Sequence, residues 1–186
     1  MINDMSNHQP IVKYINGQFQ KMNDVIVEEF PLTIYVNQTE FATLVCSPTH
    51  MEELIVGFLA SEGIVIAEKE IESLEIDIHK GVSYVTLKNK TNPVTLSAKR
   101  VFGSCCGKSR KFYFQNDIKT AKTALSTITI TPEQCLTLMN TLQRQSDTFQ
   151  KTGGVHNAAL ATPEGILLQR SDIGRHNAID KLYGHA

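Results

Sequence analysis

Two adjacent cysteines place the strongest constraint on this chain. They lie in the stretch Arg100-Val101-Phe102-Gly103-Ser104-Cys105-Cys106-Gly107-Lys108-Ser109-Arg110. Neighbouring Cα atoms sit about 3.8 Å apart across a trans peptide, whereas a relaxed disulfide wants roughly 4.4–6.8 Å. The pair therefore makes a poor structural staple. Side chains of consecutive residues in an extended segment also diverge, so the two thiols are awkward as ligands to one metal. Glycines on both sides let another backbone or a bulky substrate approach closely. A Gly-Ser-Cys-Cys-Gly-Lys sequence is badly suited to a core, which leaves a loop that presents one or both thiols.

The surroundings favour a thiolate. Residues 78–116 contain no Asp or Glu but carry Lys80, Lys88, Lys90, Lys99, Arg100, Lys108, Arg110 and Lys111, eight of the eighteen basic residues. Nearby cations lower a thiol pKa from about 8.5 into the range of roughly 3.5–7.5, and the thiolate is the nucleophile. Residues 1–77 hold thirteen acids against three bases, and residues 117–186 hold six acids and seven bases, so the net charge of −1 conceals a local basic region. Such a region implies an anionic partner. Nucleic acid and the phosphates of a small molecule both fit that charge, but the stretch has few stacking aromatics and matches no nucleic-acid motif.

A chain of 186 residues allows one domain of good size or two small ones. No apolar run approaches the 18 or so residues that span a membrane. The polar stretch from Met1 to Pro10 has neither the basic nor the apolar region of a secretory signal. Four cysteines, two of them adjacent, do not make a secreted disulfide framework. A reducing cytoplasm is expected.

Residues 11–15 and 25–36 read as strands, with a break at Pro31, and Glu40 to Cys46 continues the pattern. Thr49-His50-Met51-Glu52 reads as a capping box. The apolar set Met51, Leu54, Ile55, Phe58 and Leu59 then follows at helical spacing, with a stop near Gly63 and Cys46 in the core. Residues 71–78 and 82–88 alternate around Lys80-Gly81 as a hairpin. Thr91 to Arg100 leads into the cysteine loop as an extended arm, and Lys119 to Ser126 forms a short helix or linker. Thr131-Pro132-Glu133-Gln134 starts a second helix. Its face of Cys135, Leu138, Met139 and Leu142 predicts a core position for Cys135 and a helix running to about Phe149. Val155 to Ala161 and Ile166 to Arg170 read as strands joined by Pro163-Glu164-Gly165. Asp172 and Gly174 open a final helix through Tyr183.

The pattern G-x-H-N-A-apolar occurs twice, as Gly154-Val155-His156-Asn157-Ala158-Ala159 and Gly174-Arg175-His176-Asn177-Ala178-Ile179. Two copies are too few for a solenoid. They suit two similar turns that bring imidazole and amide groups around one pocket. In the second copy, Asp172, Gly174 and the N–H groups of a helix start beside Arg175 form a candidate phosphate seat.

Further motifs are Glu29-Phe30-Pro31-Leu32, Cys46-Ser47-Pro48, Gly57-Phe58-Leu59-Ala60-Ser61-Glu62-Gly63, Thr152-Gly153 ahead of the first repeat, and Asp172-Ile173 ahead of the second with Asp180-Lys181-Leu182 after it. Together with the cysteine loop they resemble the formate dehydrogenase accessory sulfurtransferase family, FdhD, over most of the chain. The resemblance implies an α/β (α+β) protein with a strand-rich N-terminal region, residues 1–126, ending in the basic cysteine loop. Residues 127–186 would be the first part of a cytidine-deaminase-like α/β/α domain. It also implies a sulfurtransferase that takes sulfur from a cysteine desulfurase as a cysteine persulfide. The sulfur would pass to the molybdenum bis(molybdopterin guanine dinucleotide) cofactor, bound as substrate, for formate dehydrogenase. A cytoplasmic homodimer is expected, with no nucleic-acid or membrane partner and no metal of its own.

Many members of the family carry C-x-x-C ending in Cys-Gly-Lys. Aligning Cys106-Gly107-Lys108 on that motif puts Gly103 at its first position and leaves Cys105 as an extra thiol. Cys106 is therefore the expected persulfide carrier and Cys105 its helper or relay. The expected cofactor-binding set is Lys108, Arg110, Gly154, His156, Asn157, Asp172, Gly174, Arg175, His176 and Asn177. The family continues beyond Tyr183-Gly184-His185-Ala186, so a shortened chain is expected. A non-catalytic chaperone for the guanine-dinucleotide cofactor is the alternative. A zinc nucleobase deaminase needs H-x-E and P-C-x-x-C, where this sequence reads His156-Asn157-Ala158 and Ser104-Cys105-Cys106.

Overall fold

The computed structural model describes residues 6–89, the backbone of 100–102, and residues 126–186. Cys105, Cys106, Lys108 and Arg110 lie outside the described residues, as do the expected arm before the cysteine loop up to residue 99 and the expected helix or linker before Ser126.

The chain starts with a long ribbon, β1 (Ser6–Ile15) and β2 (Gln18–Val27), paired antiparallel over its full length. Asn16 and Gly17 turn it with φ of 50° and 85°, the left-handed pair that a two-residue hairpin of this hand requires. A mixed five-stranded sheet follows, made of β3 (Phe30–Val36), β4 (Thr39–Cys46), β5 (Ile71–Asp77), β6 (Val82–Leu87) and β7 (Arg100–Phe102) in the order β5-β6-β3-β4-β7. The expected break at Pro31 falls instead at Glu28–Glu29. Pro31 sits within β3 opposite Val45, and the parallel pairing with β6 begins only at Thr33. The missing proline N–H therefore removes no bond from that ladder.

Period-2 alternation buries Leu32, Ile34 and Val36 of β3, Ala42, Leu44 and Cys46 of β4, and Val85 and Leu87 of β6. Helix α1 (Met51–Ser61) covers that face with Leu54, Ile55, Phe58 and Leu59, all fully buried, as their spacing predicts. Its start differs from the expected capping box. His50 is the N-cap, in a left-handed conformation with no side-chain cap bond. The Thr49 N–H bonds back to the Ser47 carbonyl at 2.8 Å. That tight turn moves the cap one residue on and leaves Thr49 Oγ1 buried without a partner.

The C-terminal part comprises α2 (Pro132–Gln145), α3 (Asp147–Thr152), the antiparallel pair β8 (His156–Thr162) and β9 (Gly165–Asp172), and α4 (Arg175–His185). The Thr131 capping box forms as expected, with Gln134 N–H donating to Thr131 Oγ1 at 3.2 Å and Thr131 N–H to Gln134 Oε1 at 2.9 Å. The helix expected to reach Phe149 is two helices, because Ser146 turns its hydroxyl to the Phe149 N–H and to Asn157, and so caps α3. Cys135 is exposed, not core. Of α2 only Leu142 is buried; a two-stranded sheet offers too little surface to cover the rest of the stripe. The two copies of the repeated pattern are not similar turns: the first enters strand β8 and the second opens helix α4.

Helices α1 and α4 cross in backbone contact. A Cβ placed on Gly57 would run into the Asp180 carbonyl, and one on Gly184 into the Glu53 carbonyl. Glycine at both positions is what lets the two parts of the chain close on each other. Among the described residues no helix is long and apolar enough to cross a membrane.

Candidate functional site

The site forms where β4 runs into α1, β9 ends and α4 begins. Asp172 closes β9 with a fully buried carboxylate that pairs with the equally buried Lys181 of α4 at 2.6 Å. Each carboxylate oxygen has a second donor or more. Gly174 N–H (2.8 Å) and Asn177 Nδ2 (2.9 Å) donate to Oδ1, and Ser47 N–H (3.0 Å) donates to Oδ2. Lys181 also donates to the Ser47 and Ser171 carbonyls at 3.2 and 3.5 Å. Asn177 Nδ2 reaches the Val45 carbonyl at 2.9 Å, and the Ile173 N–H donates to Ser47 Oγ at 3.0 Å. A buried ion pair is tolerated only when its remaining donors and acceptors are satisfied in this way.

Cys46 ends β4 just above this network, its thiol donating to the Phe30 carbonyl at 3.5 Å. Burial, and next the Asp172 carboxylate, push its pKa up to about 12, with Lys181 opposing. It stays a protonated, inert thiol at neutral pH. The parallel register Ala42↔Arg100, Thr43↔Val101, Leu44↔Phe102 makes β7 leave the sheet level with Leu44. That is the same end of the sheet at which Val45 and Ser47 hold α4. Cys105 follows Phe102 by three residues, a reach of about 11 Å.

The described members of the expected binding set gather at that end but divide into two groups. Asp172, Gly174 and Asn177 form the buried junction; a Cβ on Gly174 would meet Asn177 Nδ2 at 2.8 Å. Asn157 accepts from Ser146 Oγ at 2.8 Å and Ser171 Oγ at 2.6 Å, and Gly154 lies against Val27. These residues hold elements together. His156 and Arg175 are exposed and His176 is half-buried. His156 pairs with Asp172 across β8 and β9, which sets it beside the start of α4. Among the described residues no group of three or more His, Cys, Asp or Glu side chains is arranged to hold a metal ion.

Sequence reasoning passed over Lys181 and Ser47 as interacting residues. The available signal was the lysine's helical phase: Lys181 lies four residues after Asn177 on the face that carries Ala178 inward. It also missed a second cluster. Arg170 and His185 clamp Glu53, with Arg170 Nη2 at 2.7 Å and His185 Nδ1 at 2.8 Å from Oε1. Burial alone would raise the Glu53 pKa, but the Arg170 and His185 hydrogen bonds outweigh it and bring it down to about 2 from an ordinary 4.5. A carboxyl depressed in the folded state stabilises the fold above its unfolded pKa, and that contribution is lost as pH falls from about 4.5 towards 2. Glu53→Gln is expected to cost roughly 1–3 kcal/mol at pH 7 and to flatten the acid limb of a stability-versus-pH curve measured by urea unfolding. An unchanged acid limb would contradict the assignment.

Fold and site define a mixed α+β protein with a buried ionic junction where β4, β9 and α4 meet. The chain matches the FdhD/NarQ family over residues 27–186 and belongs to it. It is 58% identical over 177 residues to the sulfur carrier protein FdhD of Bacillus subtilis (strain 168), covering 93% of this chain and 66% of that protein. It is 54% identical over 185 residues to the protein of the same name from Staphylococcus haemolyticus (strain JCSC1435), covering 99% of this chain and 70% of that one. The solved structure of a candidate formate dehydrogenase accessory protein from Desulfotalea psychrophila shares the fold. Its TM-score is 0.72 at 21% identity, over 97% of this chain and 67% of that one. This chain thus spans about two thirds of the length of the relatives it matches.

Proposed function

We propose that the chain is a cytoplasmic, homodimeric sulfur carrier for formate dehydrogenase maturation. The observation that carries this is its 58% identity, across 93% of its length, to a protein named as a sulfur carrier. The thiolate of Cys106 attacks the terminal sulfur of a persulfide on a cysteine desulfurase. The donor's S–S bond breaks, a new S–S bond forms on Cys106, and the donor cysteine leaves as a thiolate, with no net oxidation. Cys105 serves as helper or relay. The outer sulfur is then passed to molybdenum bis(molybdopterin guanine dinucleotide), bound as substrate with its metal reduced. The S–S bond on Cys106 breaks, Cys106 leaves as a thiolate, and the two electrons that take the sulfur to the sulfide level come from that reduced substrate. Its phosphates are met by Lys108, Arg110 and Arg175, with His156 and His176 beside them on the frame set by Gly154, Asn157, Asp172, Gly174 and Asn177.

Two features support this reading. The exit of β7 delivers the chain to the end of the sheet where α4 begins, and Cys46 is too deeply buried to compete as nucleophile. The test is to supply this chain to a bacterial strain that lacks its own family gene and to measure formate dehydrogenase activity. Restoration by the unmodified chain and failure of Cys106→Ser is the expected result. Equal restoration by a Cys105→Ser/Cys106→Ser double variant would make the chain a non-catalytic cofactor chaperone.

A further inference from the structure

Helix α1 is too narrow for the sheet it covers. Strands lie about 4.8 Å apart, so five of them span about 19 Å, whereas a helix with its side chains is about 10–12 Å across. The edge strand β5 is the one left partly open. Its Ile71, Leu74 and Ile76 pair with Leu87, Val85 and Ser83 of β6 and share their inward face. The β6 residues are buried, but the three of β5 are only half-buried.

The opening is a groove of about 570 Å³ between α1 and β5. Val56, Ile71 and Leu74 supply its apolar floor, and the exposed side chains of Glu52, Glu68 and Glu72 stand around it. Glu52 and Val56 are four residues apart on α1, which sets a carboxylate beside the floor. Glu52, Glu68 and Glu72 have no ion-pair partner among the described residues. Lys69 also lines the groove, as does Glu53, whose carboxylate is taken up by Arg170 and His185. Three uncommitted carboxylates against one lysine leave the rim acidic.

We propose that this groove docks an amphipathic helix of a partner protein, with aliphatic side chains on the Val56–Ile71–Leu74 floor and lysine or arginine against Glu52, Glu68 and Glu72. A helix laid beside α1 completes the layer over β5, and its basic flanks meet the charge that the rim leaves unpaired. An added strand is the poorer occupant. Between Ile71 and Ser73 the register slips, making Glu72 the extra residue of a bulge on the open edge. That bulge interrupts the row of donors and acceptors which a new strand would need. The inference goes beyond the sulfur-carrier reading and does not depend on the thiol chemistry.

The probe that tests it is a synthetic, lactam-bridged helix of about 14 residues, roughly four turns, with leucines at i, i+3, i+4 and i+7 and lysines beside them. One control carries glutamate for each lysine, and a second keeps the lysines but has a central proline that breaks the helix. In fluorescence anisotropy at low salt, the full chain should bind the lysine helix at least about tenfold more tightly than either control. Rising salt should shrink its advantage over the glutamate helix. Glu52→Lys/Glu68→Lys/Glu72→Lys alters only exposed side chains, so its far-ultraviolet circular dichroism should be unchanged while its preference turns to the glutamate helix. A photoreactive leucine in the lysine helix should label peptides that contain Val56, Ile71 or Leu74. No binding of the lysine helix, equal affinity for it and a control, an unreversed preference, or labelling confined to other peptides would overturn the proposal. Weakened self-association of the triple variant with unchanged binding of the lysine helix would assign the groove to a second copy and overturn it as well.

Discussion

Replacing Lys181 by methionine is expected to destabilise the fold by about 3–5 kcal/mol. Asp172 would remain at zero exposure with its strongest partner gone. The Ser47 and Ser171 carbonyls would also lose the ammonium they share. The loss falls on a junction that ties β4, β9 and α4 together, so local relaxation cannot spread it. For a domain of this size the melting temperature should drop by roughly 2–4 °C for each kcal/mol. The double change Asp172→Asn/Lys181→Met should recover part of the loss, since a neutral amide no longer strands a buried charge. Urea unfolding of the three proteins checks this. A single-variant cost below about 1 kcal/mol would show that the pair does not hold the junction.

The second large effect concerns the thiols. Cys106→Ser is expected to lower the restored formate dehydrogenase activity by more than about 100-fold, as removal of a nucleophile does. Cys105→Ser should slow the process without abolishing it. Cys46→Ala should leave activity intact while costing some stability, because the Cys46 thiol is buried, held at a pKa of about 12, and hydrogen-bonded to Phe30. The same assay that reads formate dehydrogenase activity orders the three. A Cys46→Ala chain that is stable but inactive would move the chemistry to the wrong thiol for this account.

How much of this could be read from the residues varies with the range of the interactions. Helix α1 was legible because five apolar residues at helical spacing bury on one face, whatever the rest of the chain does. The Thr131 cap was legible because its partners lie within three residues. Thr49 carries the same local signal, yet the turn at Ser47, which Asp172 holds from 125 residues away, shifts the cap to His50. The α1–α4 crossing depends on Gly57 and Gly184, which no local pattern pairs. Asp172 and Gly174 read as part of a phosphate seat beside Arg175 at the start of α4, whereas the Gly174 N–H and the Asn177 amide are taken up by the Asp172 carboxylate. Their link to Lys181 and Ser47 became visible only when strands and helices from both ends of the sequence met. Cys135 looked buried because its helical stripe is apolar, but the sheet beneath is too narrow to cover it.

Peptide mass analysis under non-reducing conditions, after incubation of the folded protein with a cysteine desulfurase and cysteine, tests the central claim most directly. One added sulfur is expected on the peptide that contains Cys105 and Cys106, removed by reductant and absent in Cys106→Ser. No added sulfur on that peptide, or sulfur found only on the peptides of Cys46 or Cys135, would contradict it.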